Sequence, residues 1–196
     1  MDIEKIDIDR LRECVKNRLS AKRFNHVLGV EKMCVALAEK YGADVKKARI
    51  AALLHDYMKE TNVKVLEKIC ESVPEVKGYE NLSEILHGFA GGIEAEKEFG
   101  IADEDILNAV KYHTIGREGM STLEKIVYIG DAIEEGRDYP CVNEIREETF
   151  KNLDDGIILE VSRKIDYLKE KGGTIHINTI KMRDSLLKER EMRKWI

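Results

Sequence analysis

Hydrophobic residues along this chain recur every three to four positions, which is the spacing of one face of an α-helix. Leu11, Cys14 and Val15 follow this period behind Asp9, so a first helix is predicted over residues 9–19. The same pattern predicts helices over 20–42, 45–59, 63–73, 122–135, 143–151, 154–171 and 179–195, one that opens at Ser83 and one that Asp103 caps. No segment shows the strict alternation of a β-strand, so an all-α fold is predicted.

The segment 50–54, Ile-Ala-Ala-Leu-Leu, is apolar almost all round, and a helix without a polar face is buried in a core. Among the 196 residues 43% are hydrophobic and 36% are charged, which excludes a disordered or fibrous chain. The sequence therefore predicts one all-α domain over 1–196, a helical bundle with a more charged C-terminal helical extension over about 142–196.

The charge balance limits the classes of partner. Lysine and arginine number 33 against 38 aspartate and glutamate residues, for a net charge of −5. This balance argues against a nucleic-acid binder, whose footprint is a basic patch. No apolar stretch approaches the ~20 residues of a membrane span, and the N-terminus carries no secretory signal, so we expect a cytoplasmic protein.

The cysteines stand far apart, without a Cys-x-x-Cys pair. That spacing fits neither a thiolate zinc site nor a disulfide framework. We expect reduced and mostly packed thiols at Cys14, Cys34, Cys70 and Cys141.

Four of the five histidines fall near positions that the helical phase points inward: His26, His55, His87 and His113. A single inward histidine is usually a core residue with a satisfied hydrogen bond. Four on separate helices change that interpretation, and Asp56 directly follows one of them. Asp131 lies among isoleucines and valines, where an aspartate is costly unless it is paired or binds a metal. These six residues are the candidate metal ligands.

The ligand types and their spacing indicate the kind of metal site. A mixture of imidazoles and carboxylates suits Fe, Mn or Zn better than Mg or Ca. The consecutive His55 and Asp56 point about 100° apart on a helix, so they share one ion only at the helix edge. The same geometry lets Asp56 bridge two ions. Because six candidates exceed the needs of one catalytic ion, two ions that share Asp56 are the simplest interpretation.

Five segments contain the candidate ligands: Arg-Phe-Asn-His-Val-Leu-Gly-Val (23–30), Ala-Ala-Leu-Leu-His-Asp-Tyr-Met-Lys-Glu (51–60), Leu-His-Gly (86–88), Tyr-His-Thr-Ile-Gly-Arg (112–117) and Gly-Asp-Ala-Ile-Glu-Glu-Gly-Arg-Asp (130–138). In this order they resemble the HD superfamily of helical metal-dependent phosphohydrolases. The closer resemblance is to its YqeK-like bacterial symmetrical bis(5'-nucleosyl)-tetraphosphate hydrolases. It covers about 19–187. A His-Asp pair alone is a weak signal, whereas the five segments in this order are specific.

The chain departs from the family pattern in two places. The family has Ala-Asp-Tyr-Ile-Glu-Pro where this chain has Gly130, Ala132 and Glu135 at the first, third and last positions. The small Ala132 leaves room for a wider pocket, which concerns substrate size more than chemistry. Near the C-terminus, Ile177 and Asn178 replace a proline and an aspartate.

The resemblance implies an enzyme that hydrolyses diadenosine tetraphosphate into two ADP, with a metal-binding core over about 19–137. It implies two transition-metal ions, with iron as the first choice and Mn or Zn as alternatives. The first ion would be held by His26, His55, Asp56 and Asp131, and the second by Asp56, His87 and His113. Such ions polarise a phosphoryl oxygen and lower the pKa of a bound water toward ~7, so water is the expected nucleophile.

Three cations near these segments are candidates for gripping the polyphosphate: Lys59, Arg117 and Arg137. Lys59 lies one turn beyond His55, and we expect it to act with Asp56 in catalysis. Arginine binds phosphate as a two-pronged fork. The alternative for each of the three is an ordinary solvated surface charge.

Further residues are candidates for nucleotide contact. Gly29 lies one turn after His26, where a missing side chain lets a ligand approach the backbone. Thr114 adjoins His113 and can donate to a phosphate or to its own helix. The resemblance places His176 near the nucleoside, and a surface histidine is the alternative. For Gly88, Gly91 and Gly92, tight helix packing is favoured over ligand contact.

Other functions stay open at the level of the sequence. A di-iron oxygenase of the HD type uses a similar ligand set but has less need of phosphate-binding cations. Another nucleotide phosphohydrolase is a second alternative, and a non-catalytic signalling module with coordinatively closed metals is a third. The sequence leaves the metal, the base preference and the oligomeric state open. A homodimer is one of the oligomeric states that it leaves open.

Overall fold

Residues 3–193 are described by the structure, a computed structural model, and they contain helices and no β-strand. The helices in that range are α1 (Ile8–Arg18), α2 (Ala21–Tyr41), α3 (Val45–Leu54), α4 (Val63–Ile69), α5 (Ser83–Phe99), α6 (Glu104–Tyr112), α7 (Thr122–Ile133), α8 (Val142–Lys151), α9 (Leu153–Glu170) and α10 (Ile177–Arg193). Short 3₁₀ helices lie at Ile3–Lys5 and Pro74–Val76. The all-α prediction is confirmed.

Side-chain caps locate several helix starts. Ser20 accepts a hydrogen bond from an amide of α2, and Asp44 accepts from two amides of α3. Asp103 caps α6, and Ser121 with Glu124 forms a reciprocal capping box at α7. Each cap satisfies amides that the first turn of a helix leaves without a carbonyl partner. Local sequence therefore predicts these starts.

The third helix is shorter than the predicted range 45–59. It ends at Leu54, and successive tight turns follow, in which the Tyr57 amide donates to the Leu54 carbonyl at 3.0 Å. Arg18 of α1 donates from Nε to the Tyr57 carbonyl at 2.9 Å. A continued helix would use that carbonyl itself. The prediction was wrong after Leu54, where three-residue turns replace the helical hydrogen bonds and Arg18 binds one of the carbonyls of these turns.

Other helix ends differ by a few residues. α7 ends at Ile133 rather than Glu135, because Glu134 adopts ψ 158° and leaves the helix. α4 ends at Ile69, four residues before its predicted end. The predicted end of the last helix, Trp195, lies outside the described residues.

α3 forms the centre of the bundle, where it contacts α1, α2, α5, α6 and α7. Its residues 50–54 are fully buried, which confirms the prediction of a core helix. α9 packs on α7, α8 and α10, and its Ile157, Val161 and Ile165 belong to the same hydrophobic core. The C-terminal helices thus extend one bundle. The finer boundaries, a metal-binding core over about 19–137 and C-terminal helices over about 142–196, stay predictions.

Glycines bring α5 close to α6. A β-carbon on Gly88 would lie 2.8 Å from the Lys111 carbonyl oxygen, and one on Gly91 would lie 3.2 Å from Cγ1 of Val110. One on Gly92 would meet the Lys111 side chain. This confirms the prediction that the three glycines permit tight helix packing.

The cysteines are all free. Cys34 and Cys70 are buried, Cys14 is partly buried and Cys141 is exposed, which agrees with the prediction of mostly packed thiols. None of the described helices is long and apolar enough to cross a membrane.

Candidate metal centre

Five separate parts of the fold bring the six predicted ligands together. They are His26 on α2, His55 and Asp56 directly after α3, His87 on α5, His113 directly after α6, and Asp131 on α7. The side chains of His55, Asp56, His87 and His113 are buried. His26 and Asp131 are partly buried, at the open side of the cluster.

Asp56 lies between two pairs of histidines. Its Oδ2 is 3.4 Å from Nε2 of His55 and 3.6 Å from Nε2 of His26. Its Oδ1 is 3.1 Å from Nε2 of His87 and 3.9 Å from Nε2 of His113. Asp56 thus belongs to two groups of three residues, one with His26 and His55 and the other with His87 and His113. Within each group the ligand atoms lie within 4.8 Å of one another. One carboxylate thus joins two groups that could each hold an ion.

In three of the histidines the hydrogen bond of Nδ1, the ring nitrogen that faces away from the cluster, determines which ring atom faces the cluster. Nδ1 of His55 is 2.6 Å from the Ala52 carbonyl oxygen, and Nδ1 of His87 and of His113 contact main-chain carbonyls at 2.9 and 2.8 Å. A carbonyl only accepts hydrogen bonds, so each of these rings carries its proton on Nδ1. The lone pair of each Nε2 is therefore directed into the cluster, as in histidines that bind metals.

Within the described residues no donor satisfies the lone pairs of His55 and His87, and the only hydroxyl near Nε2 of His113 is that of Thr114, at 3.0 Å. The Nε2 atoms of His87 and His113 face each other at 3.0 Å, and both are acceptors. Nε2 of His55 is buried without a hydrogen-bond partner. A concentration of buried acceptors is unfavourable unless a cation lies among them. The residues therefore fit divalent metal ions, and the mixture of nitrogen and oxygen donors is typical of transition metals.

At His113 and Asp131 the surroundings favour the protonation states that metal ligation requires. Burial lowers the pKa of His113 well below its usual value, and the neighbouring His87 and His55 lower it further, so this imidazole stays neutral. Burial raises the pKa of Asp131, but the contacts with His26 and His55 outweigh it and hold that pKa well below its usual range. Neutral imidazoles and ionised carboxylates are the forms that bind metals.

Asp131 and Arg137 form the edge of the cluster. Oδ1 of Asp131 is 3.0 Å from Nε2 of His26 and 3.9 Å from Nε2 of His55. Arg137 donates from Nη2 to the same Oδ1 at 2.5 Å and from Nε to the Asp131 carbonyl at 2.9 Å. The predicted phosphate-binding Arg137 thus lies beside a predicted metal ligand.

Arg23 is a site residue that the sequence reasoning missed. Its Nη1 donates to Oδ2 of Asp56 at 2.9 Å, on the side of that carboxylate that faces His26. About a third of its side chain, 31%, is exposed. The available signal was its position three residues before His26, which puts the two on one helix face.

A cleft of about 500 Å³ lies next to the His26 side of the cluster. It is lined by Ser20, Lys22, Arg23, Asn25, His26, Glu60, Glu134, Gly136 and Arg137. Its two arginines also contact predicted metal ligands: Arg23 contacts Asp56 and Arg137 contacts Asp131. The cleft therefore offers positive charge directly beside the cluster.

Glu134 was also missed as a site residue. Its Oε1 lies 3.2 Å from Nδ1 of His26, and its side chain is buried. Gly29, predicted to leave space for a nucleotide, instead faces this carboxylate: a β-carbon at Gly29 would collide with Oε2 of Glu134. The prediction for Gly29 needs correction, because the space beside it is occupied by protein.

Two of the other predicted substrate residues lie close to the cluster in the chain. The Thr114 hydroxyl is 3.0 Å from Nε2 of His113. Lys59 lies in the turn after Asp56, whose carbonyl accepts its amide at 2.9 Å, and its side chain is partly buried. Their contacts with a substrate stay predictions.

Arg117 is engaged elsewhere. It donates from Nη2 to Glu124 at 2.6 Å, and its guanidinium lies 5.3 Å from the ring centre of Tyr112. It lines a pocket with residues of α10, among them Met182 and Leu186. Its predicted phosphate contact would require it to leave a buried carboxylate.

His176 is buried rather than exposed. Its Nε2 lies 2.9 Å from the Glu75 carbonyl oxygen, and its Nδ1 accepts the Asn178 amide at 3.1 Å. The Tyr79 ring lies 4.3 Å from its ring centre. Because both ring nitrogens bind the main chain, the contacts of His176 fix the start of α10, and the prediction of a nucleoside contact finds no free nitrogen here.

Comparison with known proteins identifies the family. The model of the HD domain matches residues 23–136, a range that includes all six predicted ligands. The chain belongs to the HD domain family. This HD domain protein is 37% identical over 168 residues to a symmetrical bis(5'-nucleosyl)-tetraphosphatase of Bacillus subtilis, with 85% of this chain and 90% of the relative covered.

Two further relatives agree with that identification. A symmetrical bis(5'-nucleosyl)-tetraphosphatase of Staphylococcus aureus is 36% identical to this HD domain protein, over 89% of this chain and 92% of the relative. A crystal structure from Clostridium acetobutylicum, described as a predicted HD superfamily hydrolase involved in NAD metabolism, is 39% identical. It superposes with a TM-score of 0.87 over 94% of this chain and 98% of the other. The resemblance found in the sequence is confirmed.

Proposed function

We propose that this HD domain protein hydrolyses dinucleoside tetraphosphates symmetrically and converts diadenosine tetraphosphate into two ADP. The observation that carries the proposal is the position of Asp56 between two histidine pairs, beside a cleft lined by Arg23 and Arg137. The substrate class comes from the relatives, which are named symmetrical bis(5'-nucleosyl)-tetraphosphatases at 36–37% identity.

Two ions, iron by preference and manganese or zinc as alternatives, belong to this proposal. His26, His55, Asp56 and Asp131 would hold one, and Asp56, His87 and His113 the other. When bound, such ions polarise a phosphoryl oxygen and supply hydroxide at neutral pH. The mixed imidazole and carboxylate donors support transition metals over Mg²⁺ or Ca²⁺.

Arg23 and Arg137 are the proposed phosphate-binding residues. A tetraphosphate chain carries several negative charges, and a guanidinium binds a phosphate through two parallel hydrogen bonds. Asp56 contacts Arg23 at 2.9 Å and Asp131 contacts Arg137 at 2.5 Å, so each arginine is held beside the cluster while its side chain remains about one third exposed to the cleft. Lys59 and Thr114 are proposed as further contacts on the strength of their neighbours Asp56 and His113 in the chain.

The bond that breaks provides the test. Attack of water at the second phosphorus from either end, with rupture of the central phosphoanhydride bond and ADP as the leaving group, gives two ADP. Attack at an outer phosphorus, with ATP as the leaving group, gives AMP and ATP. In oxygen-18 water we expect one label per pair of ADP molecules, always on a terminal β-phosphate. Metal-stripped protein serves as the control for background hydrolysis. AMP with ATP as primary products at early times would contradict symmetrical cleavage.

The alternative functions have less support. The relatives are named as phosphatases or hydrolases, and two guanidinium groups beside the cluster suit a polyphosphate better than the substrate of an oxygenase. Oxygen consumption by iron-loaded protein would favour the di-iron oxygenase instead. A signalling module with closed metals predicts no nucleotide turnover at all.

A further inference from the structure

Glu134 occupies a defined position beside the metal centre. It is the first residue after α7, and only 5% of it is exposed. Its Oε1 lies 3.2 Å from Nδ1 of His26, and its Oε2 accepts the Gly136 amide at 2.5 Å. Nε of Arg137 lies 3.9 Å from the same Oε1. A buried carboxylate is unfavourable without such partners, so these three contacts explain why it can be buried here.

Two glycines form the space that holds this carboxylate. A β-carbon on Gly29 would collide with Oε2 of Glu134, and one on Gly136 would lie 3.0 Å from each carboxylate oxygen. Gly29 is inside α2 and Gly136 lies beyond α7, so two separate elements both lack a side chain at this point. The space fits one carboxylate group.

The backbone around Glu134 is also held in place. Arg146 of α8 donates from Nη2 to the carbonyls of Glu134 and Arg137, at 2.6 and 2.8 Å, and from Nε to the Ile133 carbonyl at 2.8 Å. One guanidinium thus binds the last carbonyl of α7 and two carbonyls of the segment that follows it. This fixes the point from which the Glu134 side chain enters the cluster.

His26 differs from the other three histidines in its outer partner. Nδ1 of His55, His87 and His113 each contacts a main-chain carbonyl, whereas Nδ1 of His26 contacts a carboxylate. A carboxylate partner fixes the tautomer with the proton on Nδ1 and directs Nε2 to the metal. It also makes Nε2 more basic, and therefore a stronger metal ligand. Nε2 of His26 indeed faces Asp56 and Asp131.

We propose that Glu134 is the positioning residue for His26, and that it sets the affinity of the ion that His26 helps to hold without itself binding that ion. The inference rests on the proposed role of His26 as a metal ligand. It also assigns Gly29 a function: the glycine keeps the space for Glu134 open.

The test measures metal binding rather than turnover. Co²⁺ affinity is determined by chelator competition, with the visible Co²⁺ bands as the spectroscopic readout, for the wild type, Glu134→Gln and the reference variant His26→Ala. Glu134→Gln is expected to weaken one of the two Co²⁺ sites by about 10–100-fold and to alter its bands. The other site is expected to keep its affinity.

Glu135→Gln is the matched control. Glu135 is the next residue, but its side chain is exposed and paired with Lys32 at 2.7 Å on the surface. The same chemical change there is expected to leave both Co²⁺ affinities at the wild-type value.

Gly29→Ala is the second variant, and it decides the question should Glu134→Gln fail to fold. It places a methyl group in the space of the carboxylate and leaves the charge of Glu134 unchanged, so we expect the same loss at the same site. Wild-type affinity in both Glu134→Gln and Gly29→Ala, with a loss in His26→Ala, would overturn the inference alone. Two wild-type Co²⁺ sites in His26→Ala would instead overturn the ligand assignment of the proposed function, and the inference with it.

Discussion

The guanidinium of Arg23 lies 2.9 Å from Oδ2 of Asp56, while the other oxygen of that carboxylate lies 3.1 Å from His87. One aspartate therefore touches a cation of the cleft and a histidine of the buried half of the cluster. Because the carboxylate is shared, a change at Asp56 affects both proposed ion sites. A change at a histidine affects only the site to which that histidine belongs.

The metal content of two variants tests this difference. Asp56→Ala removes the only residue common to both ligand groups and is expected to lose both ions. His113→Ala is expected to lose chiefly the ion that it shares with His87 and to retain a mononuclear remnant. Metal-to-protein ratios measured on folded variants, checked by circular dichroism, decide the matter. Equal and complete loss in both would contradict the separate roles.

The arginines of the cleft are expected to act in substrate binding. Arg23→Gln and Arg137→Gln each remove a charge-assisted contact with phosphate, worth roughly 1.5–3 kcal/mol. That corresponds to a loss of about 10–100-fold in kcat/KM. Lys59→Ala is expected to slow turnover through the loss of its predicted phosphate contact.

The control for the arginines is Arg163→Gln, because Arg163 pairs with Glu144 on the surface at 2.6 Å. It is expected to keep wild-type kinetics. The metal content of each variant is measured alongside, since Arg23 and Arg137 contact Asp56 and Asp131. Unchanged kinetics in Arg23→Gln and Arg137→Gln at full metal content would make both arginines ordinary surface charges.

Two glycines of α5 predict different losses of stability on substitution by alanine. In Gly88→Ala the new methyl group would lie 2.8 Å from the Lys111 carbonyl, which is main chain, so α5 must move away from α6. We expect a loss of about 1–3 kcal/mol in the free energy of unfolding, as for other overpacked sites. In Gly92→Ala the nearest atom is Cγ of the Lys111 side chain, at 2.5 Å, and the Leu107 carbonyl oxygen lies 3.3 Å away. A change of the Lys111 rotamer relieves the first contact, and alanine favours a helix over glycine by about 1 kcal/mol, so the loss of stability is expected to be smaller than in Gly88→Ala. Urea unfolding of metal-free protein compares the two, and equal destabilisation would refute the packing argument.

The Lys47–Asp103 pair predicts a pH dependence. Burial raises the pKa of Asp103, but the 2.7 Å contact with Lys47 and the Ile106 amide outweigh it and lower the pKa below the ordinary 3.8. The unfolded chain therefore binds a proton first as the pH falls, and the stabilisation is present above pH 3.8 and lost below it as the folded group titrates. Asp103→Asn keeps the helix cap but removes the charge.

At pH 7 we expect the Asp103→Asn variant to be less stable than wild type by roughly 0.5–1 kcal/mol, and the difference to shrink as the pH is lowered through 3.8 and below. Urea unfolding of both proteins in chelator measures it at each pH. A difference that grew toward low pH would show that the sign is wrong.

Local sequence determined the helical architecture and much of the chemistry. Helix starts at Ser20, Asp44, Asp103 and Ser121 depend on contacts within three residues, so the pattern of the chain is enough to predict them. The burial of residues 50–54 likewise follows from their composition alone. Histidines and aspartates at inward positions identified the candidate ligands, because such groups are costly in a core without a partner.

Tertiary structure alone decided which residues support the candidate ligands. Glu134 contacts His26 across 108 positions of the chain, Arg23 contacts Asp56 across 33, and Arg18 binds the Tyr57 carbonyl across 39. His176 binds the Glu75 carbonyl across 101 positions, so that ring nitrogen is engaged with the main chain. Periodicity and caps report only on neighbours within a few residues, whereas these contacts depend on how the helices pack against each other, which hydrophobic pattern specifies only as a buried face.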